Sequence, residues 1–501
     1  MNSTSSAPWR ALAAACALAA VLVGLALLAF AFAPKHSAWL ARSLDHFHRD
    51  GDFLAYYCAG KIAASGVDPY RTEPLRTCEH SLGKETWNQT ALDVTPAPMP
   101  AYALAMFGLL AHLPYDAAKA LWYLVLLASL VVATVCLSRV TGLPWYVVLA
   151  ALAIPFAYKN LELAQVPPVA VALLCAAAYL VRERRFALAG CAAGLSMIEP
   201  HIGLPACIAT FAFLPACRIA LTAMAGAAAF ASVAMLGVAT NVEFFTRVLP
   251  LHAYAEIGSV DQWSLTWFLH FLGIKDSVAL ASGSIFYALM TIVGLALGWL
   301  CARAYDSEHF IVLAPPAVAM LGGAFVHDTQ YAAVMPAALA IAAAAGTALV
   351  WTAVAILAWP WSFGGTLYPL VAIVALAIIA RHLVGRALLP PHVWTAAGIV
   401  FAILTVAIDH APRAPVRGDG SPTAFYDSLG ADQQFASASW GVQERRGRGG
   451  ASLHTLAEKV PWWSGIVLML AAAGVALARR PSAALSSSSR MASTRTRLAS
   501  G

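Results

Sequence analysis

The sequence predicts an all-α polytopic membrane protein, and two observations carry that prediction. Of its 501 residues, 60% are hydrophobic and only 11% are charged, against roughly 25% charged in ordinary soluble domains. Apolar runs of spanning length also recur along the chain, at 11 to 33, 119 to 137, 163 to 181, 219 to 239, 278 to 301 and 367 to 380. In hydrocarbon each backbone polar group must be satisfied inside its own segment, so helices are the economical way for these runs to cross.

Taken in order, the run 11 to 33 exceeds the apolar length of about 7 to 15 residues usual for a secretory signal. It ends in Phe32-Ala33-Pro34-Lys35 without a cleavage pattern, so it reads as a retained first helix. The stretch 34 to 98 then forms a large loop. Within it Phe53 to Gly60 reads as helical, and Gly66-Val67-Asp68-Pro69-Tyr70 ends it with turn chemistry. Asp52 and Tyr56 share a face of this short helix, with Phe53 and Tyr57 beside them and Lys61 further on. Its aromatic residues suit the headgroup zone, so it can lie in the interface; the plainer reading is an amphipathic helix that packs against the bundle.

Segment 100 to 113 is too short for a bilayer core of about 30 Å and reads as a re-entrant or half helix. Residues 186 to 215 read as two short helices broken at Glu199-Pro200, and 240 to 277 forms a second large loop. The segment 410 to 460 is rich in Gly, Ser, Asp and Arg without an apolar period, so it is expected to be a polar loop with little core of its own. A last helix follows at 461 to 478, and the Ser/Thr/Arg-rich stretch 479 to 501 reads as a disordered basic tail.

Arg182-Glu183-Arg184-Arg185 between two apolar runs is the strongest orienting cue and is expected to be cytoplasmic, with 34 to 98 and 240 to 277 outside. The net charge of +6 is spread over loops and tail, which suits a protein beside anionic membrane lipids and gives no nucleic-acid signal. Seven of the nine cysteines lie in apolar segments; the exceptions, Cys58 and Cys78, share the first outer loop. In an oxidising compartment they can close a disulfide, although Cys58 can equally face the bundle.

Asp52 is the residue on which function is expected to turn. A helix-capping role is the plain reading for Asp50 and Asp52; the functional one is a catalytic base at a membrane surface. Asp50-Gly51-Asp52 also has the form of a two-carboxylate metal motif, but Gly51 leaves the two free to point apart, and no cofactor or metal is expected to be required.

The string Asp52-Phe53-Leu54-Ala55-Tyr56-Tyr57-Cys58-Ala59-Gly60, followed by Gly66-Val67-Asp68-Pro69-Tyr70, resembles the first outer loop of glycosyltransferase family 87. These are membrane enzymes of the GT-C fold that use polyprenyl-phosphate sugars. Pro96 to Tyr102 is similar to that family's Tyr-Pro-Pro run, and Leu163-Ala164-Gln165 to its Gly-Gln-x-Asn turn. Arg184 to Gly190, continuing to Gly194 and Glu199-Pro200, resembles its basic turn, small-residue helix and Lys-Pro break. Ser264-Leu265-Thr266-Trp267 and His327-Asp328 before Tyr331 fit the same pattern. The chain departs from it at Glu199, where the family has Lys, at Pro168, which replaces Asn, and in the degraded Tyr-Pro-Pro run.

The resemblance implies a GT-C-like catalytic domain over 1 to 409, a bundle of about 11 to 14 transmembrane helices whose outer loops carry juxtamembrane helices. It implies a bacterial inner-membrane enzyme that moves a hexose, mannose above all, from a polyprenyl phosphate to a glycolipid or glycan acceptor on the extracytoplasmic face. Such chemistry needs a base for the acceptor hydroxyl and donors for the departing phosphate. Asp52 is the expected base. His327 is expected on the phosphate, then Lys61 and Arg71, with Tyr56, Gln165, Glu199, Trp263 and Trp267 as further substrate contacts. Each has a plainer reading: a helix-end histidine, solvated cations, a water-exposed carboxylate and an aromatic interface belt. A transporter or lipid-linked-sugar flippase is the alternative, but the polar candidates cluster at one surface and no internal repeat is visible.

Overall fold

The computed structural model describes residues 52–82, 94–157, 159–361, 368–385, 391–416, 421–447 and 450–479. The expected first helix at 11 to 33, Asp50 and the tail beyond Arg479 lie outside the described residues. Among those described, every regular element is helical, as expected of an all-α polytopic membrane protein. Five helical segments among the described residues are long and apolar enough to cross a membrane: 115–141, 215–255, 276–305, 392–409 and 453–478. Large apolar side chains such as Leu124, Ile219, Phe230, Ile285 and Ile403 stand exposed on them, the arrangement that lipid rather than water rewards.

The first described helices are α1 (Phe53–Ala64), α2 (Thr72–Ser81) and α3 (Ala101–Leu110). A disulfide between Cys58 and Cys78 ties α1 to α2. Of the two readings of α1, interfacial helix or helix packed against the bundle, the structure has the second, because Phe53 through Gly60 are all buried. Phe53, Tyr56, Tyr57, Phe107, Tyr115 and Trp122 pack their rings together with centroids 5.1 to 6.4 Å apart. The aromatic residues that suggested a headgroup zone instead fill a core between α1, α3 and α4 (Tyr115–Thr141). Segment 100 to 113 does hold only a short helix, α3, seated against α1.

α5 (Trp145–Ala157) and α6 (Pro167–Arg182) follow, joined by a tight turn in which Lys159 and Ala164 both adopt positive φ. α7 (Phe186–Leu195) and α8 (Pro200–Phe213) are separated by a 3-10 turn and by Glu199, at φ −120° and ψ 94°. That is the break expected at Glu199-Pro200, where proline favours extended backbone in the residue before it. α9 (Arg218–Glu243) is kinked at Gly237 and runs through a π-helical turn, Phe244–Val248, into α10 (Leu249–Ala255). α11 (Leu265–Phe271), α12 (Asp276–Tyr305), α13 (His309–Ala319), α14 (Val334–Ala345), α15 (Ala348–Leu357), α16 (Tyr368–Gly385) and α17 (Pro391–Asp409) complete the middle of the chain.

The segment 410 to 460 differs from the polar loop expected of it. It contains α18 (Pro422–Ser428), α19 (Ala436–Gly447) and the first turns of α20 (Leu453–Ala478). Phe425, Phe435, Ala436 and Ala438 are buried and join the core that holds α1. The sparse apolar residues fall on one side of short helices, a pattern too brief for a spanning-length window to register.

Close helix approach rests on small residues, as membrane bundles favour. In Gly294-Leu295-Ala296-Leu297-Gly298 an added Cβ would lie 2.7 Å from the Pro315 Cα at Gly294 and 2.8 Å from the Phe310 oxygen at Gly298. Both obstacles belong to the backbone of α13. Gly294→Val is therefore expected to force α12 from α13 and lower stability by about 1 to 3 kcal/mol. Gly226→Ala, with nothing within 4 Å of its Cβ, should be neutral or slightly stabilising. Thermal unfolding in detergent measures both, and equal melting of the two variants would refute this account of the packing.

Candidate active site

A cavity of about 370 Å³ opens where α1, the α5–α6 turn, the Glu199 break, α10 and the segment before α14 converge. Its lining includes Asp52, Tyr56, Gln165, Glu199, His252 and His327. Asp52 occupies the N-cap position of α1, yet its side chain makes no capping hydrogen bond. The plain capping role is thus not the one it performs. Instead the Gln165 Nε2 donates to Asp52 Oδ2, and the Tyr56 hydroxyl donates to Gln165 Oε1 at 2.8 Å. Gln165 thereby fixes one carboxylate oxygen through a chain that begins on the same helix.

Backbone bonds hold that arrangement. The Asp52 amide donates to the Leu163 carbonyl at 3.0 Å, the Gln165 amide to Asn160 at 2.8 Å, and the Trp122 indole to Ala164 at 2.8 Å. The Asn160 amide group donates to Pro155 and to Thr329, tying this turn to the segment that carries His327.

His327 and Gln262 form an isolated antiparallel bridge, with the Trp263 amide donating to Val326 at 2.6 Å. The His327 amide donates to Gln330 Oε1 at 3.0 Å, and the Gln330 Nε2 reaches Glu199 at 3.0 Å. Lys159 links the two bridged segments by pairing with Asp261 and with Asp328, the latter at 2.7 Å. These bonds press the His327 ring toward Glu256, Nε2 to Oε2 at 3.5 Å. Burial disfavours charge on both groups, but each faces the other's opposite charge, which pulls the Glu256 carboxyl below its ordinary value and lifts the His327 imidazole above its own. His252, one helical turn before Glu256, lies against the Phe325 ring with centroids 5.0 Å apart.

Among the expected site residues, the cavity thus gathers Asp52, Tyr56, Gln165, Glu199 and His327. It does not gather the others. Lys61 is exposed at the far end of α1. Arg71 pairs with Asp68 and Glu243, both at 2.6 Å, and its guanidinium lies 4.3 Å from the centre of the Phe435 ring. Trp263 and Trp267 are 3% and 0% exposed, and Lys459 inserts between them, 5.4 and 4.4 Å from their ring centres. They pack the loop rather than face the cavity. Sequence reasoning missed Glu256, His252 and Trp440 as lining residues. The i, i+4 spacing of His252 and Glu256 is a visible signal, and Trp440 lies in the segment expected to be a polar loop.

Glu79 lies near the site on α2, 1% exposed, with one oxygen accepting from the Thr95 amide at 3.1 Å. Burial raises its carboxyl from the usual 4.5 to about 8, with the charge of Asp52 adding to the rise. A raised carboxylate favours folding below the unfolded value and loses that contribution as pH climbs from about 4.5 through 8. Glu79→Gln is expected to flatten this dependence and to stabilise the protein above pH 8 by a few kcal/mol, on the order of the shift itself. Melting of both proteins across pH 5 to 9 measures it; parallel curves would show that Glu79 ionises without penalty.

No curated protein matches the chain. Residues 99–326, which carry Gln165, Glu199, His252 and Glu256 and end one residue short of His327, match the model of glycosyltransferase family 87. Over that stretch, somewhat under half of its length, the chain is similar to a family of membrane glycosyltransferases.

Proposed function

We propose that this protein transfers a hexose, most simply mannose, from a polyprenyl phosphate to a hydroxyl of a glycolipid or glycan at the extracytoplasmic face of a bacterial inner membrane. The observation that carries the reading is the Asp52 carboxylate, which makes no capping hydrogen bond and is held by Gln165 in a cavity that His327 and His252 also line. Asp52 takes the proton of the acceptor hydroxyl as its oxygen attacks the anomeric carbon. The bond from that carbon to the phosphate oxygen breaks, and the negative charge developing there is met on the His327 side. A single displacement of this kind inverts the anomeric configuration. No metal at Asp50-Gly51-Asp52 enters the scheme.

A second, apolar cavity of about 760 Å³ runs between α7, α8 and α9 and shares Pro100, Leu204 and Phe245 with the first. Its walls include Tyr102, Met197, Ile208, Phe211 and Val233. It would take the isoprenoid tail while the phosphate and sugar enter the polar cavity, dividing the donor as its own polarity is divided. The Cys58–Cys78 disulfide favours an oxidising compartment for this face.

Purified protein in lipid, offered radiolabelled polyprenyl-phosphate mannose and a membrane extract, should yield a labelled acceptor. Label that never leaves the donor, with other polyprenyl-phosphate sugars equally inert, would refute the proposal. Transfer from a nucleotide sugar alone would overturn its donor half.

A further inference from the structure

We infer that His252, Glu256 and His327 form a binding site for a divalent transition-metal ion of the zinc type. One ligand atom from each lies within 4.8 Å of the others. His252 and Glu256 come from one turn of chain, four residues apart, and His327 from the segment bridged to Gln262. Two imidazoles and a carboxylate are the donor set of three-ligand zinc sites that keep one position open.

The local geometry favours an ion over a closed hydrogen-bonded cluster. His252 is 3% exposed, and neither of its ring nitrogens has a hydrogen-bond partner among the described residues. A buried imidazole without partners calls for a ligand to satisfy it. The His327 Nε2 to Glu256 Oε2 distance of 3.5 Å is long for a hydrogen bond. It matches the separation of about 3.4 Å between two atoms bound tetrahedrally to one zinc at about 2.1 Å. The remaining support is also present. Glu256 Oε1 accepts from the Trp440 indole, which leaves Oε2 to face the two histidines, the outer contact that orients a ligating carboxylate.

All three residues line the polar cavity, so the open position of the ion faces whatever enters it. Resting on the reading of that cavity as a donor site, the ion rather than the bare imidazole would contact a phosphate oxygen.

The test reads metal, not turnover. Full-length protein purified in detergent is stripped with a chelator, incubated with Zn²⁺, desalted and analysed for metal content. About one ion per chain should be retained. His252→Ala and Glu256→Gln should each weaken binding at least tenfold, while His112→Ala, at an exposed position, should not. Glu256→Gln keeps the shape of the side chain and guards against loss by misfolding. Cobalt in place of zinc should give visible absorption from a low-coordinate nitrogen and oxygen site, and inorganic phosphate should shift it. Retention equal in wild type and both ligand variants, or no retention above background, would leave the cluster an ion pair and overturn the site. A cobalt spectrum indifferent to phosphate would overturn the open position. Sugar transfer by metal-free protein would reject the ion's part in the reaction and leave the transferase standing, whereas bound zinc without transfer would do the reverse.

Discussion

Asp52→Asn is expected to leave expression and melting nearly unchanged while removing sugar transfer almost completely. The amide has nearly the shape of the carboxylate, and its oxygen can still accept from Gln165 Nε2 as the carboxylate does. It cannot take a proton from an acceptor hydroxyl. General-base catalysis is typically worth about 10² to 10⁴ in rate, and the loss should fall in that range or beyond, in kcat more than in donor affinity. Gln165→Leu should cost less, about tenfold to a hundredfold, because it frees the carboxylate to rotate without removing it. Retention of most turnover in Asp52→Asn would eliminate Asp52 as the base, and Glu199, another carboxylate of the cavity, at the α7–α8 break, would then be the residue to examine.

How far this site was legible in the sequence depends on the range over which each residue acts. Long apolar runs foretold α4, α9 and α12, because a spanning helix is a local property of some twenty residues, whereas the runs 163 to 181 and 367 to 380 hold the shorter apolar helices α6 and α16. The break at Glu199 was legible for the same reason, since proline acts on its neighbour. The burial of α1 was legible only as one of two readings. Whether Phe53 and Tyr57 face lipid headgroups or Trp122 is decided by α3 and α4, which lie tens of residues away in sequence. Lys61 and Arg71 carried the right charge for a phosphate, but the fold sends Lys61 outward and commits Arg71 to Asp68 and Glu243. Glu256 drew no notice because its meaning depends on His327, seventy-one positions later, being bridged back against it through Gln262. Trp440 was hidden for a different reason: a polar average over 410 to 460 concealed the few apolar residues that fasten α19 beside the cavity.

His327→Ala is expected to reduce transfer by roughly 10²-fold or more, the usual effect of removing one preorganised group from a developing anion. Both donor affinity and turnover should fall, because the phosphate carries negative charge when bound and more of it as the bond to the sugar breaks. The backbone should tolerate the change. His327 is held by its own amide on Gln330 and by the bridge to Gln262, neither of which involves the ring. The cost to folding comes instead from Glu256, which loses its imidazole and keeps only the Trp440 indole and His252 nearby. Glu256→Gln combined with His327→Ala should therefore recover stability without recovering activity, separating the two losses. His327→Gln should recover part of the activity where the side chain acts directly on the phosphate, since its amide can still donate, and little where His327 holds the metal ion inferred above, for which a carboxamide is a poor replacement. A normal donor affinity in His327→Ala, with weakened acceptor binding alone, would place this histidine on the acceptor side and reverse the direction in which the substrates lie across the cavity.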